Sequence, residues 1–300
     1  MTTQTHEKTQ LTGAICPSVT PFTQAGKIDF NALEQHYKRL TDAKLSGILV
    51  MGTIGEFANM NIQERLSVID AAKQMTSLPL IAHVSSTVVS DILLMAEKAY
   101  SNNYDAVMIL PPYYYGQTPN QLISYFEYLD SQLAGNWYIY NFPARTGCDV
   151  DVSIVKHLMN NCPRFAGIKD TVDCASHTRL ITLESQKIRQ DFSVFAGFDE
   201  YFAPNLMNNG AGVLSGLTNI VPEVFVSLFN AYKANDLTTV ANLHKKIAKL
   251  SEIYLVGDDF VTTIKTAVAQ QFGYMKPISR NFNGTLNSQQ IKRIEEILKA

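Results

Sequence analysis

Eight short apolar runs, each followed by a stretch with helical spacing, constrain this chain more than any other feature. The runs AICPSVTPF, GILVMG, LPLIAHV, AVMILPP, NWYIYN, FAGIKD, FSVFAG and GVLSG are largely apolar on successive residues rather than on alternate ones. That is how strands covered on both faces of a parallel sheet read. Between them the spacing changes. In FNALEQHYKRLTDAKL, Phe30, Leu33, His36, Tyr37 and Leu40 recur at three and four, and Asp29 is placed as the N-cap. Eight strand–helix units in regular order predict an α/β protein with a closed (β/α)8 TIM barrel rather than an open doubly wound sheet. The chain has 300 residues, 46% of them hydrophobic, which exceeds most single cores and suits such a barrel with an added helical piece.

After the eighth run the strand signal stops. PEVFVSLFNAYKANDL reads as the eighth barrel helix. TTVANLHKKIAKLSEIYL, DFVTTIKTAVAQQFG and SQQIKRIEEILKA read as further helices, packed on the barrel or on a neighbouring subunit. The expected division is a barrel over residues 1–235 and a C-terminal helical region over 236–300, with no linker or repeat between them.

Charge and composition exclude several classes. The formal net charge is −2 and the basic residues are dispersed, so neither nucleic acid nor an anionic membrane surface is an expected partner. No apolar run reaches the roughly 20 residues that span a bilayer, and the N-terminal MTTQTHEKTQL lacks the apolar core of a signal peptide. Cys16, Cys148, Cys162 and Cys174 show no CxxC spacing and read as reduced thiols of a cytoplasmic protein. The six histidines form no HxH or HExxH, so no metal site is expected.

In a (β/α)8 barrel the chemistry lies at the C-terminal ends of the strands. Those ends read MGTIGEF, LPPYYYG, YIYNFPARTG, GIKDT, AGFDE and LSGLTN. Lys169 closes an apolar strand and is expected at the barrel mouth. Desolvation there disfavours an ammonium, and a neutral amine can attack a carbonyl to form a Schiff base. A lone lysine at a strand end is more often a solvated cap. Here Tyr140 and Tyr114 also end strands, and Thr53 opens a glycine-flanked turn, so phenols and a hydroxyl can relay protons beside the amine. In Gly52–Phe57 two glycines allow close backbone approach, and successive N–H groups can hold a carboxylate, although a Gly-rich turn alone is usually only a turn. His83 and Trp137 read as packing residues, as does at least one of the three adjacent tyrosines. NNGAG reads as a plain turn.

These residues resemble the dihydrodipicolinate synthase / N-acetylneuraminate lyase family of class I, pyruvate-handling barrel aldolases, over nearly the whole chain. Three motifs carry the likeness in combination: GTxGE (Gly52, Thr53, Gly55, Glu56), YNxPxx(S/T)G (Tyr140, Asn141, Pro143, Thr146, Gly147) and GIK ending in Lys169. The resemblance implies that Lys169 is the Schiff-base lysine and that Tyr140 shuttles a proton near the imine. It implies that Thr53 and Tyr114 relay to Tyr140, Tyr114 across a dimer contact, and that the backbone after Gly52 cradles the pyruvate carboxylate. It also implies that no cofactor is needed, that the partners are small molecules (pyruvate and an aldehyde), and that the chain is a homotetramer or homodimer.

Within the family the motifs diverge. Ile54 stands where the synthase usually has a second hydroxyl in its GTTGE turn, and Asp170-Thr171 stands where the synthase has Glu-Ala. YNFPA and GIKDT look most like the 2-keto-3-deoxy-sugar-acid (gluconate-type) aldolases, with Thr171 bonding a sugar hydroxyl. GFDE is similar to the lyase's acceptor-binding turn, so Asp199 can take hydroxyls, yet Gly216 replaces the lyase's Ser. Leu214, at the end of the eighth strand, is expected to line the substrate site. Arg145 either meets a second anionic group at the acceptor end, as in the synthase, or forms a surface salt bridge. The reading is therefore a Schiff-base aldolase for a 2-keto-3-deoxy sugar acid. The alternatives are a dihydrodipicolinate-type synthase, a lyase-like enzyme and, outside catalysis, a 2-oxo-acid sensor, which the retained Lys169 and Tyr140 disfavour.

Overall fold

The computed structural model describes residues 10–281 and 285–299; most of the N-terminal stretch read above for a signal peptide, residues 1–9, lies outside them. Eight strands pair in parallel in chain order: β1 (Gly13–Pro17), β2 (Gly47–Val50), β3 (Leu80–His83), β4 (Ala106–Ile109), β5 (Trp137–Asn141), β6 (Phe165–Asp170), β7 (Ser193–Ala196) and β8 (Gly212–Leu214). β8 returns to β1 through Gly13↔Gly212 and Ile15↔Leu214, which closes the barrel. Every residue of these strands is buried, as continuous apolar runs require in a sheet with a filled interior and a helical jacket. The first run is longer in sequence than its strand. Pro17 has no N–H to give and is the last residue of β1, and Ser18 donates its backbone N–H to Leu49 beyond it.

The helices are α1 (Phe30–Asp42), α2 (Ile62–Met75), α3 (Val89–Ser101), α4 (Pro119–Gln132), a one-turn α5 (Pro143–Thr146), α6 (Val152–Asn161), α7 (Ala175–Ile188), α8 (Phe202–Met207), α9 (Pro222–Lys233), α10 (Leu237–Leu250), α11 (Phe260–Phe272) and α12 (Ser288–Lys299). Local chemistry starts several of them. The Asp29 carboxylate accepts from Ala32 N–H at 3.0 Å, and Leu33, His36, Tyr37 and Leu40 form the buried face of α1. Asn61 with Glu64 and Thr118 with Gln121 close capping boxes on α2 and α4. α9 packs against β1 as the eighth barrel helix, and α10 packs on α9. Among the described residues no helix is long and apolar enough to cross a membrane.

The β5–β6 pair positions the site. Trp137 anchors its base, stacked 5.6 Å from Phe126 and 4.6 Å from Phe165, with its indole N–H donating to Asp130 at 2.7 Å. At the other end Tyr140 pairs with Lys169, and Asn141 with Asp170. Alternation along a strand sends these two pairs to opposite faces. Tyr140 and Lys169 face the cavity at the mouth. Asp170 faces α7, where it accepts from Asn141 (2.9 Å), Thr178 (2.6 Å) and His177 (2.9 Å). Asp149 and Asp170 hold the His177 imidazole up to about 10, so it is a cation between two carboxylates.

Candidate active site

A cavity of about 490 Å³ opens at the C-terminal ends of the strands, a size that suits a small ligand. Lys169 and Tyr140 lie in it, 5% and 2% exposed. The Lys169 Nζ stands 4.0 Å from the centroid of the Tyr140 ring, and the Tyr140 hydroxyl is 3.1 Å from Thr53 Oγ1. The amine, the phenol and the aliphatic hydroxyl named from the sequence are therefore brought together from β6, β5 and the turn after β2. His83 packs behind them, 5.9 Å from the Tyr140 ring and 4.4 Å from Phe57, and shares a 2.9 Å hydrogen bond with Ser85. Burial, reinforced by Arg65, holds this imidazole well below its ordinary range, so His83 is a neutral core histidine.

A second buried lysine, Lys265 on α11, provides a contrast. Its ammonium pairs with Glu56 and donates to the Ile278 carbonyl at 2.9 Å. It also lies 4.2 Å from the centroid of Phe22. Burial pulls it down to about 8 against the pull of Glu56. Lys169, by comparison, makes no ion pair among the described residues. One buried amine is tied up in the structure and the other faces the cavity.

The turn after β2 is held in a demanding shape. Met51 and Glu56 have φ of 59° and 58°, in the left-handed region. A Cβ on Gly55 would come within 2.9 Å of Met51 Cα and the Ser18 carbonyl oxygen, so only glycine fits. Glu56, beyond its pairing with Lys265, accepts from Ser279 Oγ (2.9 Å) and Arg280 N–H (2.7 Å), which ties the turn to the segment following α11. The backbone N–H groups of Thr53 and Ile54, just after the buried Gly52, donate to no acceptor among the described residues. Such a pair of free donors is what a carboxylate needs.

Ile54, Leu214, Thr171, Asp199 and Arg145 all line this cavity. Thr171 Oγ1 is buried without a hydrogen-bond partner. Asp199 is less free than its place in the sequence implied. It accepts from Ser215 Oγ, from Leu217 N–H (3.2 Å) and from the Tyr254 hydroxyl (2.9 Å), and burial pushes its carboxyl up to about 6. Arg145, on α5, is exposed and makes no salt bridge among the described residues. It borders both this cavity and an adjoining one of about 430 Å³ that shares Thr53 and Phe142.

Tyr114 is not brought to the site within its own chain: it is 88% exposed and packs edge-on against Tyr115 at 5.0 Å. Tyr113 is the packing member of the three tyrosines, 6.3 Å from Phe57. Sequence reasoning missed Tyr254, Glu252 and Phe260, which complete the cavity wall. Glu252 and Tyr254 follow α10 and Phe260 opens α11, with no link by spacing to any strand end. Cys16, Cys148, Cys162 and Cys174 are free, and no group of three or more His, Cys, Asp or Glu among the described residues could hold a metal ion.

Comparison with known proteins agrees with this fold. A probable 2-dehydro-3-deoxy-D-pentonate aldolase, YjhH, of Escherichia coli K12 is 29% identical over 85% of this chain and 86% of its own length. A 4-hydroxy-tetrahydrodipicolinate synthase of Methanosarcina barkeri is 30% identical over 79% of this chain and 81% of its own. Among solved structures, YagE of E. coli K12 in complex with pyruvate superposes with a TM-score of 0.94 at 26% identity, covering 97% of this chain and 98% of that one. The model of the dihydrodipicolinate synthetase family matches residues 10–300, and the chain belongs to that family.

Proposed function

We propose that the protein is a class I aldolase that reversibly cleaves a 2-keto-3-deoxy sugar acid to pyruvate and an aldehyde through a Schiff base on Lys169. The observation that carries this reading is the Lys169 amine against the Tyr140 ring, with Thr53 bonded to the Tyr140 hydroxyl, in one cavity. The amine adds to the keto carbon of the sugar acid and water leaves, giving an iminium. Tyr140 takes the proton from the C4 hydroxyl, the C3–C4 bond breaks, and its electron pair flows into the iminium. An aldehyde departs and an enamine of pyruvate remains. Protonation at C3 and hydrolysis return pyruvate and the free amine. The iminium is the electron sink, so the reaction takes neither cofactor nor metal.

In this proposal the free N–H groups after Gly52 hold the substrate carboxylate, with Ile54 and Leu214 as apolar walls. Thr171 faces the sugar hydroxyls, with Asp199 beside it as a carboxylate mostly taken up by Ser215, Leu217 and Tyr254. Tyr114, turned outward, serves the Thr53 of a second copy in a homodimer or homotetramer. The barrel, residues 1–235, carries the chemistry and the helical region, 236–300, closes the site. The four free cysteines support a cytoplasmic protein. The likeness to YjhH, a probable sugar-acid aldolase, and the unpartnered Thr171 hydroxyl favour this substrate class.

Arg145, exposed at the mouth without a carboxylate partner among the described residues, favours a second reading, condensation of pyruvate with aspartate semialdehyde. Assaying pyruvate with glyceraldehyde against pyruvate with aspartate semialdehyde separates the two. The aldolase reading expects the larger kcat/KM with glyceraldehyde, and the reverse order overturns it.

A further inference from the structure

We propose that Tyr254 is a specificity-determining residue, its hydroxyl reading a hydroxyl on the aldehyde portion of the substrate. This rests on the aldolase reading above and extends it to a residue outside the barrel. Tyr254 lies in the short 3-10 segment Ser251–Leu255 between α10 and α11, and it lines the same cavity as Lys169. The bond-breaking carbon must sit near Lys169 at the strand ends. Whatever part of the substrate extends out of the barrel meets the elements added beyond those ends, and Tyr254 is one of them.

Two features place its hydroxyl. Asp199 accepts its proton at 2.9 Å. The same carboxylate is itself held by Ser215 and the Leu217 N–H, so it acts as a positioning residue whose acceptor capacity is mostly spent inside the protein. With its proton committed to Asp199, the Tyr254 oxygen keeps its lone pairs for a donor, and a substrate hydroxyl is such a donor. The second is the absence of a side chain at Gly216. A Cβ there would fall 2.5 Å from the Tyr254 hydroxyl and 2.6 Å from Ile54 Cδ1. Gly216 leaves room for a polar atom delivered by Tyr254, while Ile54 offers an apolar surface beside it. Tyr254 also packs edge-on against Phe260 at 6.4 Å, which limits its rotation.

Tyr254→Phe retains the ring and removes the oxygen. Wild type and variant are compared in two measurements: reductive trapping of pyruvate with borohydride, and the ratio of kcat/KM for glyceraldehyde to that for propanal in addition to pyruvate. Propanal has the same carbon count without the hydroxyls. The proposal expects equal trapping in both proteins and a ratio that falls roughly 3- to 10-fold in the variant, the worth of one neutral hydrogen bond. A ratio unchanged, or both aldehydes losing rate in equal proportion, makes Tyr254 a structural residue and overturns the proposal. Lower trapping in the variant would place Tyr254 at the pyruvate end and overturn it too. Absence of trapping in the wild type overturns the aldolase reading itself, a result distinct from the others.

Discussion

The amine of Lys169 and the ring of Tyr140 are register partners across β5 and β6, with Nζ 4.0 Å from the ring centroid. A parallel ladder puts paired residues at the same height, so one inter-strand spacing separates a candidate nucleophile from a candidate proton carrier. Thr53, 3.1 Å from the phenol oxygen, gives the proton a next stop. If the phenol is the general acid/base, Tyr140→Phe retains the packing and slows sugar-acid cleavage by roughly 10²- to 10⁴-fold, while pyruvate still forms a trappable adduct. Steady-state cleavage rates and borohydride trapping on the same preparation check this. A variant within a few-fold of wild type would remove Tyr140 from the chemistry.

Arg145 stands on the one-turn α5 that follows β5, whereas the free N–H groups lie in the turn after β2. Arg145→Ala is expected to raise KM for an acidic or polyhydroxylated aldehyde and to leave pyruvate binding nearly intact. Kinetics with each substrate varied in turn measure this, and equal weakening of both substrates would put Arg145 at the pyruvate end.

Glu56 and Lys265 form an ion pair with side chains 1% and 0% exposed. Removing one partner leaves a charge in the core without its counter-ion. Glu56→Gln is expected to cost about 3–5 kcal/mol of stability, and Glu56→Gln with Lys265→Met to cost less than the sum of the two single changes. Denaturant unfolding of the four proteins tests the coupling. Additive losses would show that the pair does not act as a unit.

His177 gives stability a pH dependence. Asp149 and Asp170 raise it from 6.5 to about 10, so the folded state binds its proton more tightly than the unfolded state. Its contribution is therefore full below about pH 6.5 and is lost as pH rises toward about 10. His177→Gln should flatten the fall in Tm between pH 6.5 and 10 relative to wild type. Parallel Tm profiles for the two proteins would contradict the assignment.

The barrel was legible because the two periods are distinct: uninterrupted apolar runs for strands covered on both faces, and three-four spacing for helices. Lys169, Tyr140 and Thr53 were legible because a barrel's mouth is a fixed place on each strand, so their convergence follows from topology alone. Lys265 was not, since an isolated lysine inside the helix TTIKTAVAQQF carries no sign of the Glu56 that meets it from a turn 209 residues away. Tyr254 was hidden for the same reason, because how the C-terminal helices lie over the mouth depends on packing between distant elements. For Asp199, position pointed to the cavity correctly, but a linear motif does not disclose that Ser215, Leu217 and Tyr254 occupy the carboxylate.

The central claim is that Lys169 forms the Schiff base, and trapping tests it most directly. Intact protein treated with pyruvate and borohydride is weighed by mass spectrometry, and the modified residue is located by peptide mapping. The account predicts one reduced pyruvyl adduct per chain, on Lys169, and none in a folded Lys169→Ala variant. An adduct that persists in that variant, or that maps to another lysine such as Lys265, would contradict it.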